Sequence, residues 1–129
     1  MGLGDRNHKG IRRFLHSFRY ASAGLIDVIK HEQNMRIHLI SGAVVLIAAW
    51  ALSVSIERWL VLLLVVGGVL SLEVMNTAIE RTVDLVTEEY RPLAKRAKDI
   101  AAASVFVFCI FAAVIGVMIF FPYLLELFQ

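Results

Sequence analysis

A single cysteine among 129 residues, Cys109, excludes an internal disulfide, and in its apolar setting it is expected to pack rather than react. Proline occurs only at Pro92 and Pro122. The first is expected to end the second long helix, and the second to mark the close of the third. No alternating pattern signals a strand, and no segment repeats. A Gly-rich GxxxxGK(S/T) phosphate loop and a protein-kinase signature are also absent, so a nucleotide, if bound, must be held by other groups. The first 36 residues hold seven Lys or Arg and no apolar stretch long enough for a signal core, so the N-terminus is expected to stay on the protein.

Cations are nearly missing from one end of the apolar segments. Of thirteen Lys plus Arg, seven (Arg6, Lys9, Arg12, Arg13, Arg19, Lys30, Arg36) precede the first apolar stretch and five lie at Arg81, Arg91, Lys95, Arg96 and Lys98. Arg58 alone sits in the turn between the first two stretches. By the positive-inside rule the N-terminus and the second loop are cytoplasmic, in a multi-pass protein of the cell inner membrane. The net charge of +2 informs far less than this asymmetry.

What the chain has in abundance is apolar surface. At 59% hydrophobic it is too apolar for an ordinary soluble domain, and too short for several membrane domains. The expected fold is all-α: one integral membrane domain over 1–129, with spans at 37–54, 59–86 and 99–125. Ahead of them, residues 1–9 are polar and expected to be disordered, and 10–31 read as an amphipathic helix on the cytoplasmic membrane surface. Its apolar positions Ile11, Phe14, Leu15, Phe18, Leu25, Ile26 and Ile29 keep helical spacing, and its basic residues suit anionic head groups. Residues 30–38 form a polar hinge in which Glu32 and His38 stand out. Gly67 and Gly68 are expected to allow close helix contact.

The functional centre is an acidic face on an otherwise membrane-grade helix. Fourteen uncharged residues, 59–72, run into Glu73-Val-Met-Asn76-Thr77-Ala78-Ile79-Glu80-Arg-Thr-Val-Asp84. At 100° per residue Glu73, Asn76, Thr77, Glu80 and Asp84 share an arc of about 100°. Glu73 lies roughly 21 Å along the helix from residue 59, inside the bilayer toward its far side. An ionisable group at that depth needs a partner, a metal or water, and marks a site by default. Carboxylates with an amide between them are hard oxygen donors suited to magnesium on a polyphosphate, whose remaining charge Lys95, Arg96 and Lys98 can meet. Three other readings of the same residues are a polar seam gluing helices in an oligomer, the acid-lined path of a small oligomeric ion-conducting protein, and a non-catalytic scaffold. A nucleic-acid partner is not expected.

The run from Glu73 to Asp84, followed by Ala94-Lys95-Arg96-Ala97-Lys98-Asp99, resembles the signature of the small prokaryotic diacylglycerol kinase family, and Glu32 to His38 resembles that family's hinge. Asn34-Met35-Arg36-Ile37-His38 and Pro92-Leu93-Ala94-Lys95 look more like the undecaprenol kinases of Gram-positive bacteria. The resemblance implies an ATP-dependent, magnesium-using lipid kinase acting on undecaprenol, or alternatively on diacylglycerol. It also implies a homotrimer of three-span subunits with active sites shared between neighbours. By the same resemblance Glu73 is the general base toward the lipid hydroxyl, and Glu32 and Glu80 hold magnesium on the ATP phosphates. Glu89, Tyr90, Arg91, Lys98 and Asp99 contact the nucleotide, helped by Arg13 and Tyr20. Asn76 positions the hydroxyl or Glu73, and Arg13, Asn34, Met35, Arg36, His38 and Trp59 contact the lipid. Gram-negative diacylglycerol kinases carry an acid where His38 stands, so an acidic role does not carry over to it.

Overall fold

A computed structural model describes residues 10–127, so the segment 1–9, expected to be disordered, lies outside the described residues. Four helices follow in order: α1 (Ile11–His31), α2 (Gln33–Ala51), α3 (Ile56–Val86) and α4 (Pro92–Leu127). The last three are long and apolar enough to cross a membrane.

α1 leaves Ile11, Phe14, Leu15 and Phe18 exposed as a stripe, and Val28 is its buried residue. The polar segment 30–38, expected to be a hinge, is helical except for one residue, Glu32 (φ −100°, ψ 120°). The break is that short because Glu32 serves both helices through its backbone. Its N–H closes α1 onto Val28 O at 2.8 Å, and its carbonyl accepts the Arg36 N–H at 3.5 Å. Arg36 Nη1 also donates to Lys30 O at 3.2 Å, satisfying one of the carbonyls a helix end leaves over.

α2 ends at Ala51 rather than 54, because Ser53 turns into the left-handed region (φ 51°). Ser53 N–H then donates to Trp50 O and Val54 N–H to Ala49 O, the bond pattern of a Schellman stop. Only four residues, 52–55, separate α2 from α3, so the two helices are antiparallel neighbours. Arg58, the cation of this turn, lies 5.0 Å from the Tyr123 ring centre, and Tyr123 Oη accepts the Ser55 N–H at 3.3 Å. This end of α4 is therefore tied to the turn.

Both prolines act differently from expectation. α3 already ends at Val86, and Pro92 opens α4, where its missing N–H is not needed and its φ is already set for a helix. Pro122 lies inside α4, which continues to Leu127. Its ring removes one i→i−4 bond, a loss that a membrane helix absorbs through its surroundings.

α3 is the central element. It packs most extensively on α4 and less on α2, whereas α1 touches α2 and α3 sparsely. Gly68 accepts the Phe108 ring of α4 so closely that any Cβ would overlap it. Gly42 of α2 does the same for Val66, whose Cγ1 would lie 2.8 Å from an added Cβ, while Gly67 has open space beside it. Gly68→Val should therefore force α4 off α3, an overpacking penalty of about 1–3 kcal/mol. A lowered melting temperature of the detergent-solubilised protein, recovered in part by Phe108→Ala, is the expected result. An unchanged melting temperature would mean the helices do not meet there.

Candidate active site

The acidic face of α3 is graded in burial from the middle of the helix to its end. Glu73, Asn76 and Thr77 are buried at 3–5% exposure, Glu80 is half-buried, and Asp84 is exposed. The period of the face explains this in part, since a 100°-wide polar arc keeps pointing the same way along α3 while the helices covering it change. Asn76 Nδ2 donates to Glu80 Oε1 at 3.1 Å, linking two successive turns. Asn76 Oδ1 is buried without a partner among the described residues. A buried acceptor left unpaired costs about 1–3 kcal/mol, so a donor supplied by a ligand would restore what the fold withholds.

Glu73 opens into a recess of about 340 Å³ whose polar lining is Asn34, His38, Glu73 and Asn76 and whose α4 wall includes Phe106 and Cys109. His38 Nε2 lies 3.9 Å from Glu73 Oε2. A second recess of about 290 Å³ shares His38 and Cys109 with the first and continues between α2, α3 and α4 past Gly42, Val66 and Gly116, almost wholly apolar. A carboxylate thus stands in a recess of mixed lining that adjoins an almost wholly apolar one. Cys109, expected to be a plain packing residue, lines both.

Nearer the end of α3, Arg81 donates from Nη2 to Glu32 Oε1 at 3.0 Å and from Nη1 to Asp27 Oδ2. The guanidinium hydrogen bond holds the Asp27 carboxyl below the usual aspartate range. Past Val86, a shallow recess of about 330 Å³ brings together Asp84, Glu89, Tyr90, Arg91, Lys95 and Lys98. Lys98 Nζ pairs with Asp84 Oδ1 across α3 and α4, and Lys95 Nζ pairs with Asp99 Oδ2 along α4, both at 2.5 Å.

The structure therefore gathers the expected residues into two groups and scatters the rest. Asn34, His38, Glu73 and Asn76 share one recess, and Glu89, Tyr90, Arg91 and Lys98 share another. Glu80 is joined to the first group through Asn76. Asp99 turns to Lys95 and does not line the recess past Val86. Arg13 and Tyr20 stand exposed in the first half of α1, with Tyr20 stacked on His16 at 6.2 Å. Arg36 is committed to the Lys30 carbonyl, outside the recess.

Two expected lipid contacts lie apart from the Glu73 recess. Met35 is fully buried, because α2 begins at Gln33 and its helical phase turns Met35 inward. Trp59 packs with Ala49, Val54, Leu62 and Ile119. That cluster lies fourteen residues, roughly 21 Å, along α3 from Glu73, too far to share its recess. Arg81 and Asp27 were missed, since Arg81 reads as one of several cytoplasmic cations and Asp27 as a solvated residue of α1. The available signal was the register, in which Arg81 directly follows Glu80 on an arc next to the acidic face.

Among the described residues no three His, Cys, Asp or Glu side chains converge as a ready-made metal cage. Glu80 has one oxygen engaged by Asn76 and Glu32 one by Arg81, and each has a second oxygen left to offer. That donor set suits magnesium, which takes one or two carboxylates and fills its other positions with phosphate oxygens and water.

Residues 19–120 match the family model described as prokaryotic diacylglycerol kinase. The chain is 41% identical to the undecaprenol kinase of Bacillus subtilis, over 93% of its own length and 98% of that protein. It is 42% identical to a diacylglycerol kinase of Synechocystis over 86% of this chain and 64% of that one. With the diacylglycerol kinase of Pseudomonas aeruginosa it shares 33% identity, over 79% and 83% of the respective chains.

Proposed function

The chain belongs to the prokaryotic diacylglycerol kinase family, an all-α, multi-pass membrane family of lipid kinases, and from that premise we propose that its substrate is undecaprenol and its phosphoryl donor ATP held with magnesium. The observation that carries this reading is the position of Glu73, a buried carboxylate in a recess of mixed lining that shares His38 and Cys109 with an almost wholly apolar one. A membrane alcohol can bring its hydroxyl to that carboxylate sideways from the lipid while the nucleotide arrives from water. The substrate assignment rests on likeness to the Bacillus subtilis protein across nearly both chains. Diacylglycerol is the second candidate, supported by the other relatives.

Glu73 takes the proton from the lipid hydroxyl as its oxygen attacks the γ-phosphorus, and the bond to ADP breaks in line. Asn76 holds Glu80 through Nδ2 and borders the recess that the hydroxyl enters beside Glu73. Glu80 and Glu32 would hold magnesium, which when bound would supply charge neutralisation on the phosphate oxygens. Phosphoryl transfer draws most of its acceleration from such positioning and neutralisation. Lys98, Arg91, Tyr90 and Glu89 border the recess on the water side and receive the nucleotide. Asp99, Arg13 and Tyr20 complete the nucleotide site in a homotrimer whose sites are shared between neighbouring copies. The distribution of Lys and Arg supports a cytoplasmic N-terminus in the inner membrane, with α1 lying on its surface.

The test is direct. Full-length protein in vesicles, given labelled ATP and either undecaprenol or diacylglycerol, should phosphorylate undecaprenol with the higher kcat/KM, and a preference for diacylglycerol would reverse the assignment. His38, 3.9 Å from Glu73 and on the wall shared by both recesses, is placed to influence that choice. His38→Glu should lower the undecaprenol-to-diacylglycerol ratio of kcat/KM by about tenfold, an ordinary effect for one polar contact in a pocket, and leave the KM for ATP nearly unchanged. An unaltered ratio would assign His38 to structure.

A further inference from the structure

Glu32 is the one non-helical residue between α1 and α2, so its side chain is aimed by a break in the chain rather than by a helix. α1 itself lies only sparsely against α2 and α3. Something must hold this carboxylate still if it is to meet Glu80 across a single cation. Among the described residues the polar contacts joining α1 and the break to α3 are the two made by Arg81. Its guanidinium bonds Glu32 with one nitrogen and Asp27, five residues earlier on α1, with the other. A planar fork can serve two carboxylates at once, which an ammonium cannot do with the same geometry. Exposed ion pairs contribute little to stability by themselves, so the value of this one lies in aim.

We propose that Arg81 is a positioning residue that locks α1 to α3 through Asp27 and orients Glu32 toward Glu80, so that it governs the affinity for the metal–nucleotide and not the transfer step. The proposal rests on the metal role assigned above to Glu32 and Glu80. Outer partners that hold a ligating group in place are worth about 10- to 100-fold in metal affinity.

The experiment uses the full chain in detergent with a non-hydrolysable ATP analogue, titrated with manganese and read by electron paramagnetic resonance, alongside steady-state kinetics. Arg81→Ala should weaken manganese binding by about 10- to 100-fold, raise the KM for the metal–ATP complex correspondingly, and leave kcat at saturation within about threefold of the parent, less than the roughly 0.7 kcal/mol that such a factor represents. Arg81→Lys should recover part of the loss, because it restores the charge and one of the two bonds. Asp27→Asn keeps Glu32 paired and should give a smaller loss in the same direction, and it decides the matter if Arg81→Ala does not fold. Manganese affinity unchanged in Arg81→Ala, or in Asp27→Asn where that variant must decide, overturns the proposal. Glu32→Ala separates the two levels. If it weakens manganese binding while Arg81→Ala does not, only the proposal falls, and if neither weakens it, the metal role of Glu32 falls as well.

Discussion

Glu73→Gln is expected to lower turnover by about 10²- to 10⁴-fold, the range a positioned general base supplies. The amide matches the carboxylate in shape and fills the same buried position beside His38, so no cavity forms. What it lacks is proton affinity at the reacting oxygen. Nucleotide binding and oligomeric state should be unaffected, because the groups assigned to the nucleotide lie about 10 Å or more further along α3, near Glu80 and beyond. Single-turnover measurement with labelled ATP and the lipid checks the chemical step. Turnover within about tenfold of the parent, some 1.4 kcal/mol of barrier, would show that Glu73 is not the base.

The second large effect is expected at Glu80. Glu80→Ala removes a metal oxygen and at the same time frees Asn76 Nδ2, so the magnesium concentration for half-maximal rate should rise by at least the roughly 10- to 100-fold seen when an outer partner is lost. Glu80→Gln separates the two roles. Its amide oxygen can still accept from Asn76, yet it brings no charge to the cation. If Gln restores the parent's magnesium dependence, Glu80 serves only to hold Asn76. If Gln is as defective as Ala, Glu80 is a metal ligand.

Much of this architecture follows from local pattern. Helices and their order are legible because apolar runs about 20 residues long have few alternatives to spanning a bilayer. The acidic face is legible because a helix repeats every 3.6 residues, and the burial of Glu73, Asn76 and Thr77 together is that period made visible. The stops were less legible. Pro92 can follow one helix or open the next, and which it does depends on where α3 ends, which the closure of Thr87 N–H on Val83 O sets five residues earlier. Ser53 in the left-handed region gave no warning, since glycine is the usual residue there.

By itself the sequence determined that the chain is helical and membrane-bound, and that acidic and amide side chains share one face of the helix that carries Glu73. Each of these rests on properties of a single helix: its length and its period. Only the tertiary structure decided which residues face one another. It set His38 against Glu73, seated Phe108 on Gly68, sent Trp59 to the far end and bound Arg81 to Asp27 and Glu32, residues 54 and 49 positions away. The physical reason is that helix-to-helix register and rotation are set by small residues and side-chain shape at the crossings, interactions between distant segments that no local period encodes.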